Sequence, residues 1–439
     1  MYRKILFTSL AWVGSVCLAY SQPALNPRFP VTQTSFLHLG LLPGLSTNGM
    51  DAGVYENIIS IQILSGVSAA QRTFEVAGLS TFTSYAVTGI QLAGIVNVVG
   101  ANYLLGMSAA DRRAMERNGY QPHTRAIQVA GVINLLRTPF TGFQATGGLN
   151  LVAKGVEGAQ IAGVGNATGS YLIGFQGSGG FNFVKKGGLG IQLSGIFNWA
   201  KEDFDGFQIA TFFNRTRYLT GLQLGLVNSC KRVEGWASDN VPRFKSAQIG
   251  LLNLTKEQNA FQFGLINIYK PGSRGVSMGL LNLGGLSWVS YYANERHHSN
   301  LEFATGNTMT KLHRGSVWRW STYNTLGFSI GGWQGKTREI SWGAGAMLED
   351  TGAYSFRSTV RLYYPWVGKD FKNWQGLYGS WGVSAGIRPG NKMDGIQFFL
   401  SPTLNWHMFS SGELATSPRF SMPLGDRFWG GLQLGVKLG

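Results

Sequence analysis

Glu295, His297 and His298 are the residues that come closest to a metal-binding group. Imidazole and carboxylate groups are common zinc ligands, but zinc sites usually draw on separated residues that converge on one point. His297 and His298 are adjacent, so on a strand their side chains would point to opposite faces. The pattern favours a solvated loop, and we predict no metal site and no cofactor.

Two glycine-rich segments suggest phosphate binding at first sight. Residues 331–337 have three residues between the key glycines where a phosphate-binding loop needs four, and they lead into a strand pattern rather than a helix. Residues 177–180 belong to a structural repeat. The sequence holds no serine nucleophile elbow, no metalloprotease motif and no carboxylate pair with an evident shared face. We therefore predict that the protein is not an enzyme, and a glycan-cleaving activity is the weakest of the alternatives.

The remaining candidate functional groups are the amide side chains of Gln and Asn, which recur at a regular spacing in the sequence. A motif of the form G-x-Q-x-x-G-x-x-N recurs every 16 residues over five consecutive intervals, which is typical of a repeat architecture. Its structural positions are Gln128, Asn134, Gln144, Asn150, Gln160, Asn166, Gln176, Asn182, Gln192, Asn198, Gln208 and Asn214. Imperfect copies precede them at Gln62, Glu75 and Gln91.

In later copies, such as Gln248 with Asn253, the two amides are five residues apart instead of six. On a straight strand this change would move one amide to the other face. A corner or a bulge must therefore lie between them. We interpret the amides as markers of corners or strand ends rather than as a ligand-binding stripe.

Two architectures accommodate this repeat. In a β-solenoid, each 14 to 16 residues form one coil. Stacking of the coils is expected to bury the apolar face of each strand, and to place Gln against Gln and Asn against Asn in successive coils. The alternative is one continuous outer-membrane β-barrel, in which the amides would line a polar channel. Such barrels alternate short turns with long loops, whereas the turns here are equal in length. The equal turns favour the solenoid.

From about Leu286 the repeat gives way to alternating segments of about 9 to 14 residues. Segments of this length with Trp and Tyr near their ends suit outer-membrane strands, and the remaining 154 residues hold about eight of them. A soluble antiparallel sheet is the alternative. The predicted fold is all-β, with a glycine-rich, solenoid-like repeat sheet over residues 50–285 and an antiparallel, barrel-like sheet over residues 286–439, which is a candidate membrane barrel.

Composition and the first residues indicate export. The chain has 62 Gly and 13% aromatic residues, and its 13% charged residues are about half the usual share, so part of the surface should face lipid, protein or stacked neighbours. Residues 1–21 have the basic start, apolar stretch and small-x-small site of a secretory signal peptide. Residues 22–49 are predicted to be an extended lead-in, and residues 107–119 a short helical excursion.

The charge of the chain bears on its partners. The formal net charge is +16, and it falls to +14 (35 minus 21) without residues 1–21, which contain two basic residues and no acids. A basic exported chain is attracted to acidic glycans or lipid head groups, but scattered basic residues predict no specific nucleic-acid binding. Cys230 would be the single cysteine left after cleavage, which excludes an internal disulfide. The oligomeric state is left open.

Residues 42–49, the amide repeats and the closing sheet-forming segments together resemble the surface-repeat proteins of Bacteroidetes-type Gram-negative bacteria. The resemblance covers most of the chain after residue 21. It implies export to the outer membrane or cell surface, and it supplies no catalytic residues. The expected function is therefore that of a non-enzymatic outer-membrane or cell-surface protein with a scaffold or binding role. An outer-membrane channel with a lumen lined by Gln and Asn is the alternative.

Overall fold

The fold is taken from a computed structural model. The structure describes residues 33–100, 122–234, 246–271, 273, 275–313, 316–332, 335–350, 354–367, 373–374, 376–389, 395–409, 422–423 and 427–439. The predicted signal peptide and the predicted helical excursion lie outside the described residues. The chain divides into two compact units, of which the first ends at Arg217 and the second begins at Tyr218.

The first unit is a stack of parallel coils, in which a longer strand carrying Gln and a shorter strand carrying Asn are joined by a corner. A 3-10 helix, Gly49–Val54, follows its second strand. Its strands are β1 Gln33–Leu42, β2 Leu45–Ser46, β3 Tyr55–Gln62, β4 Ser65–Ser68, β5 Ala70–Ala77, β6 Ser80–Thr83, β7 Thr88–Ala93, β8 Val96–Val99, β9 Thr124–Ala130, β10 Ile133–Leu136, β11 Phe140–Thr146, β12 Leu149–Val152, β13 Val156–Ala162, β14 Gly165–Thr168, β15 Tyr171–Ser178, β16 Phe181–Val184, β17 Gly187–Ser194, β18 Phe197–Ala200, β19 Asp203–Ala210 and β20 Phe213–Arg215.

The register of these strands follows the sequence repeat. Gln144 of β11 lies opposite Gln160 of β13, and Asn150 of β12 lies opposite Asn166 of β14, in both cases one coil of 16 residues later. The predicted solenoid is confirmed, and the corner expected between the two amides is present.

The second unit begins with shorter coils of the same kind. Gln248 lies opposite Gln262 after 14 residues, and Asn267 lies opposite Asn282 after 15. The strands of these coils are β21 Tyr218–Leu224, β22 Val227–Val233, β23 Ala247–Ile249, β24 Leu252–Gln258, β25 Phe261–Phe263, β26 Ile266–Ile268, β27 Val276–Met278 and β28 Leu281–Leu283.

The second unit then forms a closed antiparallel barrel. Its strands are β29 Leu286–Ala293, β30 His297–His313, β31 Ser316–Gly332, β32 Gly335–Asp350, β33 Tyr354–Val367, β34 Asn373–Trp374, β35 Leu377–Ile387, β36 Ile396–Phe409, β37 Met422–Pro423 and β38 Phe428–Leu438. Strand β29 pairs with both β30 and β38, which closes a ring of eight strands, while β34 and β37 are short additions at its margin. The barrel-like C-terminal sheet is confirmed. One continuous barrel is not the fold, because the strands that carry the repeat amides are parallel coils.

The stacked coils bury the amide face of the repeat, whereas we predicted burial of the apolar face. Gln208 and Asn214 are fully buried while Phe207 is 48% exposed. Strict alternation along a strand would place Phe212 on the same face as Gln208, but Phe212 is exposed because the corner begins at Thr211. The apolar core lies instead at the far end of the coils, where the Asn strand ends and the next Gln strand begins. This core consists of Val87, Val99, Ala126, Leu136, Phe140, Val152, Val156, Leu172, Val184, Ala200 and Phe204.

The first coils also differ from their predicted roles. The extended lead-in already belongs to the stack from Gln33 onward, since β1 pairs in parallel with β3. Gln62 is not in register with the later Gln residues, because a shift in pairing places Ser60 opposite Glu75. The Gln62 side chain instead lies 3.0 Å from Nδ1 of the buried His38.

One glycine position is required by the tight stacking. Gly174, two residues before Gln176, has a φ of +128°, and a Cβ atom there would overlap the carbonyl oxygen of Gly158 one coil earlier. Gly142, Gly190 and Gly206 occupy the same position in other coils with similar positive φ values. The leading G of the repeat therefore follows from the close approach of successive backbones.

Candidate functional site

The repeat Gln side chains form a buried hydrogen-bonded column. The amide nitrogen Nε2 of each Gln donates to Oε1 of the Gln one coil earlier, as from Gln144 to Gln128 at 2.8 Å and from Gln176 to Gln160 at 2.8 Å. In the first unit the column begins at Glu75, which accepts a hydrogen bond of 2.7 Å from Gln91. We call this set, from Glu75 to Gln208, the Gln column.

The repeat Asn side chains form a second buried column, in which donation runs the other way. Nδ2 of Asn166 donates to Oδ1 of Asn182 in the next coil at 2.8 Å and to the carbonyl oxygen of Gly177 at 2.9 Å. We call this set, from Asn97 to Asn214, the Asn column. Each of its members from Asn134 to Asn198 also donates to the backbone carbonyl of the residue that follows Gln in the next coil. Asn150 is the second residue of its strand, directly after the corner, so the corner interpretation fits the Asn residues better than the Gln residues.

Neither column offers polar atoms to a ligand. The twelve predicted repeat positions, from Gln128 to Asn214, all have 0% exposed side chains. Amide groups buried this deeply must satisfy each other, and they do so across successive coils. Their role is structural, and a functional surface has to be sought elsewhere.

The interior of the barrel holds a network of charged residues. The Glu349 carboxylate pairs with Arg388, and it also lies 3.6 Å from Nε of Arg357 and 3.7 Å from Nζ of Lys437. Nη2 of Arg357 donates to Oε1 of Gln397 at 2.6 Å. One carboxylate therefore balances three cations in a buried setting, which sequence alternation alone did not indicate.

Further ion pairs continue this network. Glu302 pairs with Arg361 and accepts a hydrogen bond of 3.3 Å from the Tyr292 hydroxyl. Arg296 pairs with Glu339 at 2.9 Å. A polar cavity of about 50 Å³ lies between Glu302, Arg357 and Arg361, which is room for about one or two water molecules. These side chains lie in the described part of the interior.

The segment we predicted to be a solvated loop belongs to this interior. Glu295, Arg296 and His297 are buried, and only His298 of this segment is exposed. Oε1 of Glu295 accepts hydrogen bonds from Asn405 at 3.1 Å and from the indole nitrogen of Trp429 at 3.2 Å. The loop prediction is wrong because its partners come from strands more than one hundred residues later, which local spacing does not reveal.

The outer wall of the barrel is apolar. Along β35, Ser380 and Ser384 face inward and are buried, whereas Trp381, Val383 and Ile387 alternate with them and are exposed. Other strands repeat this pattern. Their exposed apolar residues include Tyr291, Leu301, Phe303, Phe328, Ile330, Leu348, Phe356, Val360, Leu362, Ile396, Phe398, Leu400, Leu432 and Leu434. The barrel thus has charge inside and apolar side chains outside, the reverse of a water-soluble protein.

The described residues of the glycine-rich segment 331–337 lie in strands. Gly332 ends β31, Gly335 begins β32, and the two strands pair as antiparallel neighbours. A groove of about 740 Å³ in the first unit is lined mainly by the ends of the Asn strands and the turns that follow them, including Leu135, Arg137, Leu151 and Lys154. Within the described residues, no group of three or more His, Cys, Asp or Glu residues is placed to hold a metal ion.

Comparison with known proteins adds no further constraint. The chain matches no protein-family model, no curated protein and no solved structure. Among the helices of the described residues, none has the length and apolar character needed to cross a membrane. The functional argument therefore rests on the geometry of the two units.

Proposed function

We propose that this chain is a non-enzymatic outer-membrane protein of a Gram-negative bacterium, in which the barrel crosses the membrane and holds the solenoid at the cell surface. The observation that carries this proposal is the inverted barrel, with an apolar outer wall and an interior of ion pairs. The signal peptide predicted from residues 1–21 and the resemblance to Bacteroidetes-type surface-repeat proteins favour the same placement.

The energetics of the outer wall favour lipid over water. Removing apolar surface from water is worth roughly 25 cal/mol per Å², so a wall made of residues such as Phe356, Ile387 and Leu434 is costly to hydrate. Barrel closure also satisfies the strand backbone groups internally, which is the condition for crossing hydrocarbon.

Strand length and the position of exposed charges fit the same proposal. The eight barrel strands have from 8 to 17 residues, and a tilted membrane strand needs about 9–11. Exposed charged residues of the described wall, Arg338 and Arg427, lie near strand ends rather than at mid-height. Charges at the ends can reach the head groups, where their cost is small.

A scaffold or binding role is favoured over a channel. The amides that we expected to line a polar lumen are buried within the solenoid, and the ion pairs around Glu349 and Glu302 occupy the barrel interior. The solenoid presents an edge of mixed charge, with exposed lysines such as Lys154 and Lys186 beside exposed acids such as Glu157, which suits contact with polar partners. The net positive charge of the whole chain favours acidic glycans among them. We therefore assign the barrel as an anchor and the solenoid as the presented surface.

Fractionation of cells expressing the full chain tests this proposal. We expect the protein in the outer-membrane fraction, resistant to an alkaline carbonate wash, and we expect its gel mobility to change on heating as the barrel unfolds. Val383→Arg places a charge on the outer wall and should lower the membrane-inserted fraction, since such a charge costs about 2–4 kcal/mol at the membrane midplane. Lys186→Arg keeps the charge on the solenoid edge and should have no effect.

Recovery of the full chain in the soluble fraction alone, without a heat-dependent change in mobility, would overturn membrane anchoring. Single-channel recording in planar bilayers tests the alternative. Steady conductance steps from the reconstituted protein would favour the channel over the anchor.

A further inference from the structure

Within each unit, the corner sides of the coils form an apolar surface. We define the corner strip of the first unit as residues 90–98, 127–135, 143–151, 159–167, 175–183 and 191–199, that is, each segment from the residue before Gln to the residue after Asn. None of these segments contains Asp, Glu, Lys, Arg or His. Polar Gln and Asn are present, but both point into the buried columns.

The side chains that point outward from the corner strip are apolar. They come mainly from the positions on either side of Gln and from the corner itself. The exposed ones are Ile90, Ile95, Ile127, Val129, Val132, Ile161, Val164, Ile191, Leu193, Ile196 and Trp199. Neighbouring strands are about 4.8 Å apart, so the six segments extend over about 24 Å. A surface of this extent exceeds the scattered exposed apolar residues of an ordinary soluble protein.

The charged residues of the same coils lie at the opposite edge. They fall where the Asn strand ends and the next Gln strand begins, beyond the apolar core. The exposed ones include Lys154, Glu157, Lys185, Lys186, Lys201, Glu202, Asp203 and Asp205. Each coil is therefore amphipathic across its width, with one edge suited to water and the other to an apolar environment.

The coils of the second unit repeat the pattern, and within that unit their corner strip adjoins the barrel wall. Its corner strip, residues 222–229, 247–254, 261–268 and 276–283, also lacks charged residues, and Leu265 and Leu281 within it are exposed. The backbone nitrogen of Asn282 donates to Oγ1 of Thr305 at 2.8 Å. Thr305 follows the outward-facing Leu301 and Phe303 on β30, so the strip adjoins the apolar outer wall.

We propose that the corner strips of the two units each lie in the lipid of the membrane. This inference rests on the proposed function, because it requires the barrel wall to be in the same bilayer. In the second unit, continuity with that wall through Asn282 and Thr305 is the observation that selects lipid as the occupant. The strip of the first unit has the same uncharged composition, and the inference extends to it on that ground.

The chemistry of the strip supports lipid over a second copy of the chain. Protein interfaces carry about one hydrogen bond per 100–200 Å², yet the strip exposes no charged group and directs its amides inward. The surface of the strip is uneven, because the corner position holds Gly148 or Gly180 in some coils and a larger residue such as Ile196 in others. Fluid acyl chains adapt to such a surface, whereas a rigid partner would need to match it.

Trp199 lies where this placement would put the interface. It is 38% exposed, and Arg215 of the next coil sits over its ring at 5.5 Å. Tryptophan favours the level of the lipid head groups, and arginine extends from there toward water. The pair thus marks a boundary between the strip and the charged edge.

Spin labels on single cysteines test the inference in the full chain, reconstituted in vesicles of phosphatidylethanolamine and phosphatidylglycerol. The background is Cys17→Ser with Cys230→Ser, and the labelled variants are Ile196→Cys and Leu265→Cys on the strip. Lys186→Cys reports the charged edge, and Val383→Cys reports the barrel wall. The measurement compares collision of each nitroxide with oxygen, which partitions into lipid, and with a water-soluble nickel chelate.

We expect the labels at residues 196 and 265 to collide more with oxygen than with nickel, as the label at residue 383 should, and the label at residue 186 to show the reverse. Greater collision with nickel at both strip positions would overturn the inference. Low collision with both reagents would also overturn it, in favour of a protein partner. If residue 383 itself behaves as water-exposed, the proposed membrane barrel fails, which separates the two failures. Retention of the heat-dependent gel shift confirms that each labelled chain is folded.

Discussion

Nε2 of Gln91 donates a hydrogen bond of 2.7 Å to Oε2 of Glu75, so an acid occupies a position that amides fill in the following coils. Oε1 of Glu75 is buried without a hydrogen-bond partner. Burial raises the pKa of Glu75 from 4.5 to about 7, although hydrogen bonds from Gln91 and Thr83 act in the opposite direction. The first coils therefore contain a group whose protonation depends on pH near neutrality.

This acid should make the stability of the solenoid fall as pH rises. The folded carboxyl holds its proton more tightly than the unfolded one, so its stabilising effect is complete below about pH 4.5 and is lost as pH rises to about 7. The total change is about 3 kcal/mol, from roughly 1.4 kcal/mol per pKa unit. Glu75→Gln should remove this dependence and stabilise the protein at pH 8. Urea unfolding across this pH range, followed by circular dichroism, measures it.

Glu157→Gln is the matched control, since Glu157 is exposed on the charged edge and should leave the pH dependence unchanged. Parallel stability curves for Glu75→Gln and the unsubstituted protein between pH 4.5 and 8 would contradict the prediction.

Breaking the Asn column should destabilise the solenoid strongly. Asn166→Ala would leave the amide of Asn150, the side-chain oxygen of Asn182 and the carbonyl of Gly177 without their hydrogen bonds. Each buried unsatisfied polar group costs about 1–3 kcal/mol, so we expect a loss of about 3 kcal/mol or more in urea unfolding. Ile173→Ser, an exposed position of a neighbouring strand, should change stability little. A loss below about 1 kcal/mol for Asn166→Ala would mean that the column relaxes around the gap.

The stacking of backbones at Gly174 should exclude any side chain. Gly174→Ala requires a left-handed φ and an overlap with the carbonyl oxygen of Gly158, and we expect destabilisation of about 3 kcal/mol or more. Gly177→Ala is the control on the same strand, because the added methyl group would meet only the ring of Phe175, which can move. Melting temperatures of the two variants give the comparison, and equal temperatures would refute the steric explanation.

The buried carboxylate of Glu349 should be essential to the barrel. Glu349→Gln leaves Arg357, Arg388 and Lys437 without their shared counter-charge, and removal of one partner of a buried ion pair typically costs about 3–5 kcal/mol. We expect the folded, fast-migrating gel form to be lost at a lower urea concentration. Ser384→Ala, an uncharged substitution on the inner face, should leave this midpoint unchanged. Identical midpoints for the two variants would show that the ion-pair network does not hold the barrel together.

The Cys230 thiol should not react with thiol reagents in the folded protein. Its thiol is buried beside Thr255 and Gln248, and burial raises its pKa to about 12. Because the thiolate is the reactive form, a Cys17→Ser chain should not react with a thiol reagent at pH 8 until it is unfolded by urea. Rapid labelling under native conditions would show that the coils around Cys230 open readily.

Periodicity made the architecture predictable, but it left the inward face undetermined. The 16-residue spacing of Gln144 and Gln160 forces equal residues into register, and the alternation after Leu286 was sufficient to predict about eight strands. Alternation defines two faces of a strand without stating which is buried, so the prediction that the apolar face turns inward was wrong. The burial of Glu295 was also missed, since its partner Asn405 lies far away in the sequence.

The opposite donor directions of the two amide columns have a consequence for growth of the solenoid. Gln side chains donate toward the start of the chain, as from Gln160 to Gln144, while Asn side chains donate toward its end, as from Asn150 to Asn166. The dipoles of the two columns therefore oppose each other, and adding a coil adds one of each. No net dipole of the two columns accumulates with length, so the buried amides set no electrostatic limit on the duplication or loss of a whole repeat.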